Sequence, residues 1–177
     1  MDFFEAVNSR YSHKEAFLPG AVPLEHLEQI ARAGIAAPSG GNSQCVRLVI
    51  LPDRQSLRPL CDISPAIGLE TAPAAIALFT DSSAQTGPLN FEMEDYAAAC
   101  ENMLLAATAL GYAALWLDSP YFDKEKERAA SALLNAPEGY TLRVVLPVGL
   151  PDGPGGRRKK LGYERRVYLK RFPAPFA

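Results

Sequence analysis

Arg10, Ser12 and Lys14 stand at alternate positions close to the start of the chain. On an extended backbone successive side chains point to opposite faces, so these three share one face. Two cations flanking a hydroxyl supply charge-assisted and neutral donors, a set that suits an anion and equally a solvated turn after a helix. A second group is Pro38-Ser39-Gly40-Gly41-Asn42-Ser43-Gln44, where paired glycines let backbone amides approach a ligand and Ser, Asn and Gln offer donors and acceptors. It is neither a GxxxxGK[ST] phosphate loop nor a GxGxxG turn, and on its own it also reads as a plain turn. The third group is Arg157-Arg158-Lys159-Lys160, a run of cations after Gly155-Gly156 that could meet phosphate, RNA or a membrane, or only solvent.

Residues for protein-based acid, base or nucleophile chemistry are not arranged in any familiar pattern. There is no GxSxG, no HExxH and no Cys/His spacing that marks a nucleophile. Asp95 and Glu101 fall in one helical stretch, where structural roles are expected, and Asp118 follows a strand. If the chain is an enzyme, a bound cofactor carries the hard chemistry. Cys45, Cys61 and Cys100 are odd in number and lack CxxC spacing, which argues against a disulfide framework or a structural zinc. Cys45 could contact a ligand but reads better as a small buried apolar residue, and Cys61 and Cys100 as core filler.

The elements that must carry these groups follow from pattern. At 177 residues, 48% hydrophobic and with a net charge of −2, the chain has enough apolar side chains for a core and too little charge for disorder. That balance gives no global drive toward nucleic acid or anionic lipid. The N-terminus lacks a basic leader region, so a cytoplasmic protein is expected. Ala97 to Leu117 is long enough to span a bilayer, but Glu101, Asn102 and Gly111 interrupt it, and a buried helix running into a strand is the better reading.

A short helix is predicted over residues 2–9 with Phe3, Phe4 and Val7 as its apolar stripe. A second begins near Pro23, with Leu24, Leu27, Ile30, Ala31 and Ile35 inward. Strands are predicted at 46–51, 74–80, 112–117 and 140–148, with helices at 54–60, 91–110 and 122–135. Residues 82–90 are flexible in composition, and 161–172 form an arm that alternates apolar and cationic side chains. One domain spans 1–177, and its element order fits an α+β layer better than a wound parallel sheet.

Four segments taken in order resemble the FMN-dependent nitroreductase family: SRYSHKEAF, APSGGNSQ, EDYAAACENMLLAATALGYAALW, and PEGYTLRVVLPVGLPDGP followed by RRKKL. The resemblance covers nearly the whole chain. It implies a nitroreductase-like α+β fold, a central, mostly antiparallel sheet flanked by helices, and a homodimer with two FMN sites at the interface. Residues from about 150 to 177 would supply phosphate contacts and an arm exchanged between subunits. By the same resemblance Arg10 and Ser12 match phosphate and ribityl contacts, and Lys14 the cation near flavin N1 and O2. Ser39, Asn42 and Gln44 match a loop reaching the flavin from the other subunit, while Trp116, Leu117 and Asp118 match the stretch along the flavin near N5. Arg157, Arg158 and Lys160 are candidates for a second phosphate clamp.

The chain departs from the family pattern at Tyr11, where a basic residue or His is usual, and at Cys45-Val46, where Pro-Trp is usual. The helical insertion over the flavin is absent or reduced to residues 82–90. These departures bear on the acceptor more than on FMN. The implied activity is an NAD(P)H-dependent flavin oxidoreductase in which Lys14 stabilises charge on the reduced flavin, and the acceptor is a nitroaromatic, a quinone or a similar small molecule. The alternatives are an FMN-binding homologue with another task (dehalogenation, flavin breakdown or flavin storage) and a basic-tailed RNA-binding or scaffold domain. No membrane and no nucleic-acid partner is expected for the first reading.

Overall fold

The computed structural model describes residues 1–84, 88–156 and 158–172. Helix α1 (Phe3–Ser9) opens on a reciprocal cap in which Asp2 and Glu5 each accept the other's backbone N–H. Then come α2 (Leu24–Ile35), β1 (Val46–Leu51), α3 (Arg54–Ile63), α4 (Ile67–Thr71), β2 (Ala74–Asp81), α5 (Glu92–Ala109), β3 (Ala113–Ala114), α6 (Lys124–Leu133) and β4 (Tyr140–Gly149). Among the described residues the strands form one sheet in the order β1-β2-β4-β3, every neighbouring pair antiparallel. With helices against both faces, this is the expected α+β arrangement.

Strand β2 is buried at every position. Ala74–Phe79 is the apolar run of a central strand covered on both faces, and Thr80 and Asp81 at its end are buried with partners in Glu92 and Arg47. Ala75, Ala77 and Phe79 face Leu57, Leu60, Leu69 and Ala130 of α3, α4 and α6. Ala74, Ile76 and Leu78 face Leu27, Ile30, Cys100 and Met103 of α2 and α5. A register shift at Leu78/Phe79 leaves Arg143 of β4 without a partner in the ladder. Such a bulge puts two successive residues on one face, so Arg143 joins Val144 on the α5 side. There its guanidinium bonds Glu92, whose carboxylate also takes the Thr80 hydroxyl, and lies over the Tyr96 ring.

Several boundaries differ from expectation. The third strand was expected over 112–117, but only Ala113 and Ala114 pair regularly with β4. Leu115 donates to the Pro147 carbonyl, and Pro147 has no N–H to return, so the ladder lapses until Leu117 meets Val145. The helix expected over 122–135 begins at Lys124 because Asp123 caps it, accepting from the amides of Glu125 and Lys126. Helix α3 runs on to Ile63, and α4 had no sequence counterpart. The expected stripe of α1 points outward: Phe3 and Phe4 are 66% and 73% exposed, and Ala6 is the residue turned inward. Of the 82–90 stretch, Ser82–Ala84 form a tight turn and residues 85–87 lie outside the described set. Among the described residues no helix is long and apolar enough to cross a membrane.

Candidate functional site

The segment after α1 leaves the helix at Arg10 and runs extended beside β3, with Ser12 bridging Ala114 in parallel and the His13 amide donating to the Ala114 carbonyl at 3.0 Å. Arg10, Ser12 and Lys14 line one hollow, but so do Tyr11, His13 and Glu15 between and beside them, so the hollow does not separate the two faces that alternation predicts. The Tyr11 ring meets His13 edge-on, and His13 is tilted against Phe17. The chain beyond β4 is carried back to the same place. Phe17 pairs antiparallel with Pro151, the Leu18 amide donates to the Leu150 carbonyl and the Asp152 amide to the Ala16 carbonyl. Gly155 then lies flat on the Tyr11 ring, where a Cβ would stand 1.9 Å from Cζ, so only glycine allows this approach.

The result is a cavity of about 490 Å³ walled by Arg10, Ser12 and Lys14 on one side and Gly156, Arg158 and Lys160 on the other. Two sequence segments about 145 residues apart thus put four cations in one lining with the Ser12 hydroxyl, alongside Asn8, Tyr11, His13 and the carboxylate of Glu15. Arg10 is steadied by Glu101 of α5, Nε to Oε1 3.2 Å. A set of this kind can hold a dianion such as a phosphate ester, because ionised donors make stronger, directed bonds to anionic oxygen. Arg157, the remaining residue of that cluster, lies outside the described residues.

The loop after α2 has a different architecture. Gly41, Asn42 and Gln44 all have positive φ, at 59°, 57° and 49°. Its form is fixed from α5: one Asp95 carboxylate accepts the Gly40 amide at 2.7 Å, the Ser43 hydroxyl at 2.8 Å and the Cys45 thiol at 3.3 Å. Phe91 packs over Gly40, and Ser39 Oγ accepts the Gln44 amide at 3.0 Å. Arg47 bonds the Gln44 carbonyl and pairs with Asp81 at 3.1 Å. The carboxyl of Asp81 is held below its ordinary range chiefly by the Ser83 hydroxyl. Ser39 and Gln44 line a separate recess of about 340 Å³, and Asn42 is exposed on the turn. Within one chain, then, the loop and the cationic cavity are not brought together.

Trp116, Leu117 and Asp118 leave β3 along the edge of β4. Leu117 is buried against Val145, and the half-buried Trp116 donates through Nε1 to Asp118 at 2.8 Å and packs on Tyr96. They line neither hollow. Burial pushes the Cys100 thiol well up, which keeps it inert, and Cys45 is a buried donor to Asp95. The residue that sequence reading undervalued is Asp95. An acid in the first turn of an apolar helix looks like a dipole partner, and nothing in the local pattern shows that its acceptors point at residues 40–45.

The profile of the Nitroreductase family matches residues 7–68 and 65–150. The chain is 34% identical over 128 residues to an inferred NADH dehydrogenase/NAD(P)H nitroreductase of Archaeoglobus fulgidus, covering 72% of this chain and 73% of that one. It is 30% identical over 159 residues to another so described from Methanothermobacter thermautotrophicus, covering 89% and 82%. Among solved structures, an inferred nitroreductase of Desulfovibrio desulfuricans in complex with FMN superposes with a TM-score of 0.76 at 27% identity, over 98% of this chain and 99% of that one.

Proposed function

Because the chain belongs to the nitroreductase family, we propose that it is an FMN-dependent oxidoreductase that takes reducing equivalents from NAD(P)H and passes them to a small oxidised acceptor, a nitroaromatic or a quinone, the two substrates using one site in turn. One observation carries this reading: Arg10, Ser12 and Lys14 share a cavity with Arg158 and Lys160. That donor set fits the phosphate end of FMN. When bound, FMN supplies hydride acceptance and donation, so no protein nucleophile or acid/base dyad is required.

The roles of this chain's own residues follow. Arg10, Arg158 and Lys160 would hold the phosphate, and Ser12 would bond the ribityl chain. Lys14 would supply the cation that stabilises negative charge on the reduced ring, a preorganised electrostatic role. By the family resemblance Trp116, Leu117 and Asp118 would lie along the ring, outside the cavity that takes the phosphate. Ser39, Asn42 and Gln44 come from the second subunit of a homodimer, which accounts for their separation from the cavity within one chain. The exposed apolar side chains of α1 and of the arm, among them Phe4, Leu161, Leu169 and Phe172, are the surface such a dimer would cover.

The test is direct. Protein mixed with excess FMN and freed of unbound flavin should be yellow and dimeric. Anaerobic NADH or NADPH should bleach it, and a nitroaromatic or quinone should restore the colour. A colourless monomer would overturn the proposal, and bleaching with no acceptor able to restore colour would replace it with another flavin task.

A further inference from the structure

Asp95 is 3% exposed and sits one turn into α5, yet its carboxylate is spent on a loop some fifty residues earlier. It takes three different kinds of donor there, a backbone N–H of Gly40, the hydroxyl of Ser43 and the thiol of Cys45. A carboxyl group can accept all three, one on Oδ1 and two on Oδ2, whereas an amide in its place would turn an NH2 toward at least one of the donors. The loop needs such an anchor. Asn42 and Gln44 are L-residues with φ of 57° and 49°; Asn enters that region readily, but Gln does so rarely and needs its surroundings to hold it there.

We propose that Asp95 is the positioning residue of the Ser39–Gln44 loop, holding it in the one form in which Ser39, Asn42 and Gln44 present their polar groups to the flavin ring. The consequence for flavin rests on the function proposed above, whereas the anchoring of the loop does not. Because the loop serves the ring and the cationic cavity serves the phosphate, damage at Asp95 is distinguishable from damage at the phosphate clamp.

The experiment has two arms, run on full-length protein with Asp95→Asn, the longer-reaching carboxylate Asp95→Glu, and Ser43→Ala as a milder variant. In the first, amide hydrogen exchange is followed without flavin. The Gly40 and Gln44 amides should exchange about tenfold faster or more in Asp95→Asn and by a smaller factor in Ser43→Ala, with β2 and β4 amides unchanged. Asp95→Glu should recover part of the protection.

In the second arm FMN and riboflavin are titrated. Asp95→Asn should weaken both by a similar factor, about tenfold, and alter the visible band of the bound ring, whereas Lys160→Ala should weaken FMN and leave riboflavin unchanged. Unchanged exchange at Gly40 and Gln44 in both Asp95→Asn and Ser43→Ala overturns the inference. So does faster exchange with unaltered flavin affinity and spectrum. If the unmodified protein binds no flavin at all, the proposed function falls while the exchange arm still decides whether Asp95 anchors the loop.

Discussion

Arg10 and Glu101 meet at 3.2 Å, Nε to Oε1, tying the segment that leaves α1 to the middle of α5. The contact is made through Nε, so it does not itself occupy the two terminal nitrogens. Both side chains retain solvent contact, 21% and 48% exposed, and a pair of that kind is worth only about 0.2–1 kcal/mol. Glu101→Gln should therefore weaken FMN by no more than about fivefold. Arg10→Ala removes a charged donor itself and should weaken FMN by about 10- to 100-fold. Fluorescence titrations of the two variants check this, and equal losses would mean that Arg10 acts only through its pairing with Glu101.

Lys14 is exposed at the mouth of the same cavity, so its loss should leave the fold intact. If it stabilises charge that develops as the ring is reduced, removing it costs about 2–4 kcal/mol of transition-state stabilisation. Lys14→Ala should then slow anaerobic reduction by NAD(P)H at saturation while the dissociation constant of the nucleotide changes little. Rapid-mixing absorbance separates the two quantities, and equal limiting rates would remove Lys14 from that role.

How much of this was legible without coordinates depends on the range of the interaction. The strands were legible because most of β2 and the inner part of β4 are continuous apolar runs, and β1 was found at its true limits. Positions 10, 12 and 14 could be grouped because alternation is local, although the hollow takes in 11, 13 and 15 as well. That Arg158 and Lys160 oppose them was not written in any spacing: it depends on Gly155 lying against Tyr11 and on backbone bonds between 16–18 and 150–152. The same holds for Arg143, turned toward Glu92 by a bulge that no pattern in β4 announces. The short extent of β3 followed from a proline on its partner strand, again a pairwise fact.

Two glycines separate stability from binding. A Cβ on Gly40 would stand 2.3 Å from Cδ2 of Phe91, the residue that caps the start of α5, so something in the fold must shift. Gly40→Ala should cost about 1–3 kcal/mol, typical of overpacking, and lower Tm by roughly 2–4 °C for each of them. A Cβ on Gly155 would collide with Tyr11 just as severely, but that segment is exposed and can lift away. Gly155→Ala should leave Tm almost unchanged, as surface changes within about 0.5 kcal/mol do. It should still weaken FMN, because Arg158 and Lys160 move with the segment, while riboflavin binding stays as it was. Calorimetry and paired flavin titrations give both readings.

Tyr121 makes a pH prediction. It is 3% exposed, and its hydroxyl lies beside that of the buried Ser64, a neighbour that eases the phenolate less than burial opposes it. Burial pushes the phenol up to about 12 from an ordinary 10, since a phenolate cannot be solvated there. Between those values the unfolded chain has lost this proton and the folded chain still keeps it. The unfolded state thus binds fewer protons, and stability must fall as pH rises. The contribution is fully present below about pH 10, is lost progressively toward pH 12, and amounts to roughly 2–3 kcal/mol. Tyr121→Phe removes the titrating group and leaves the Ser64 hydroxyl without that neighbour, so at neutral pH it should cost no more than about 1 kcal/mol. Urea unfolding at fixed protein concentration should give a gap between the two proteins that opens in favour of the variant only above about pH 10. Parallel curves through that range would mean that the folded protein admits the phenolate.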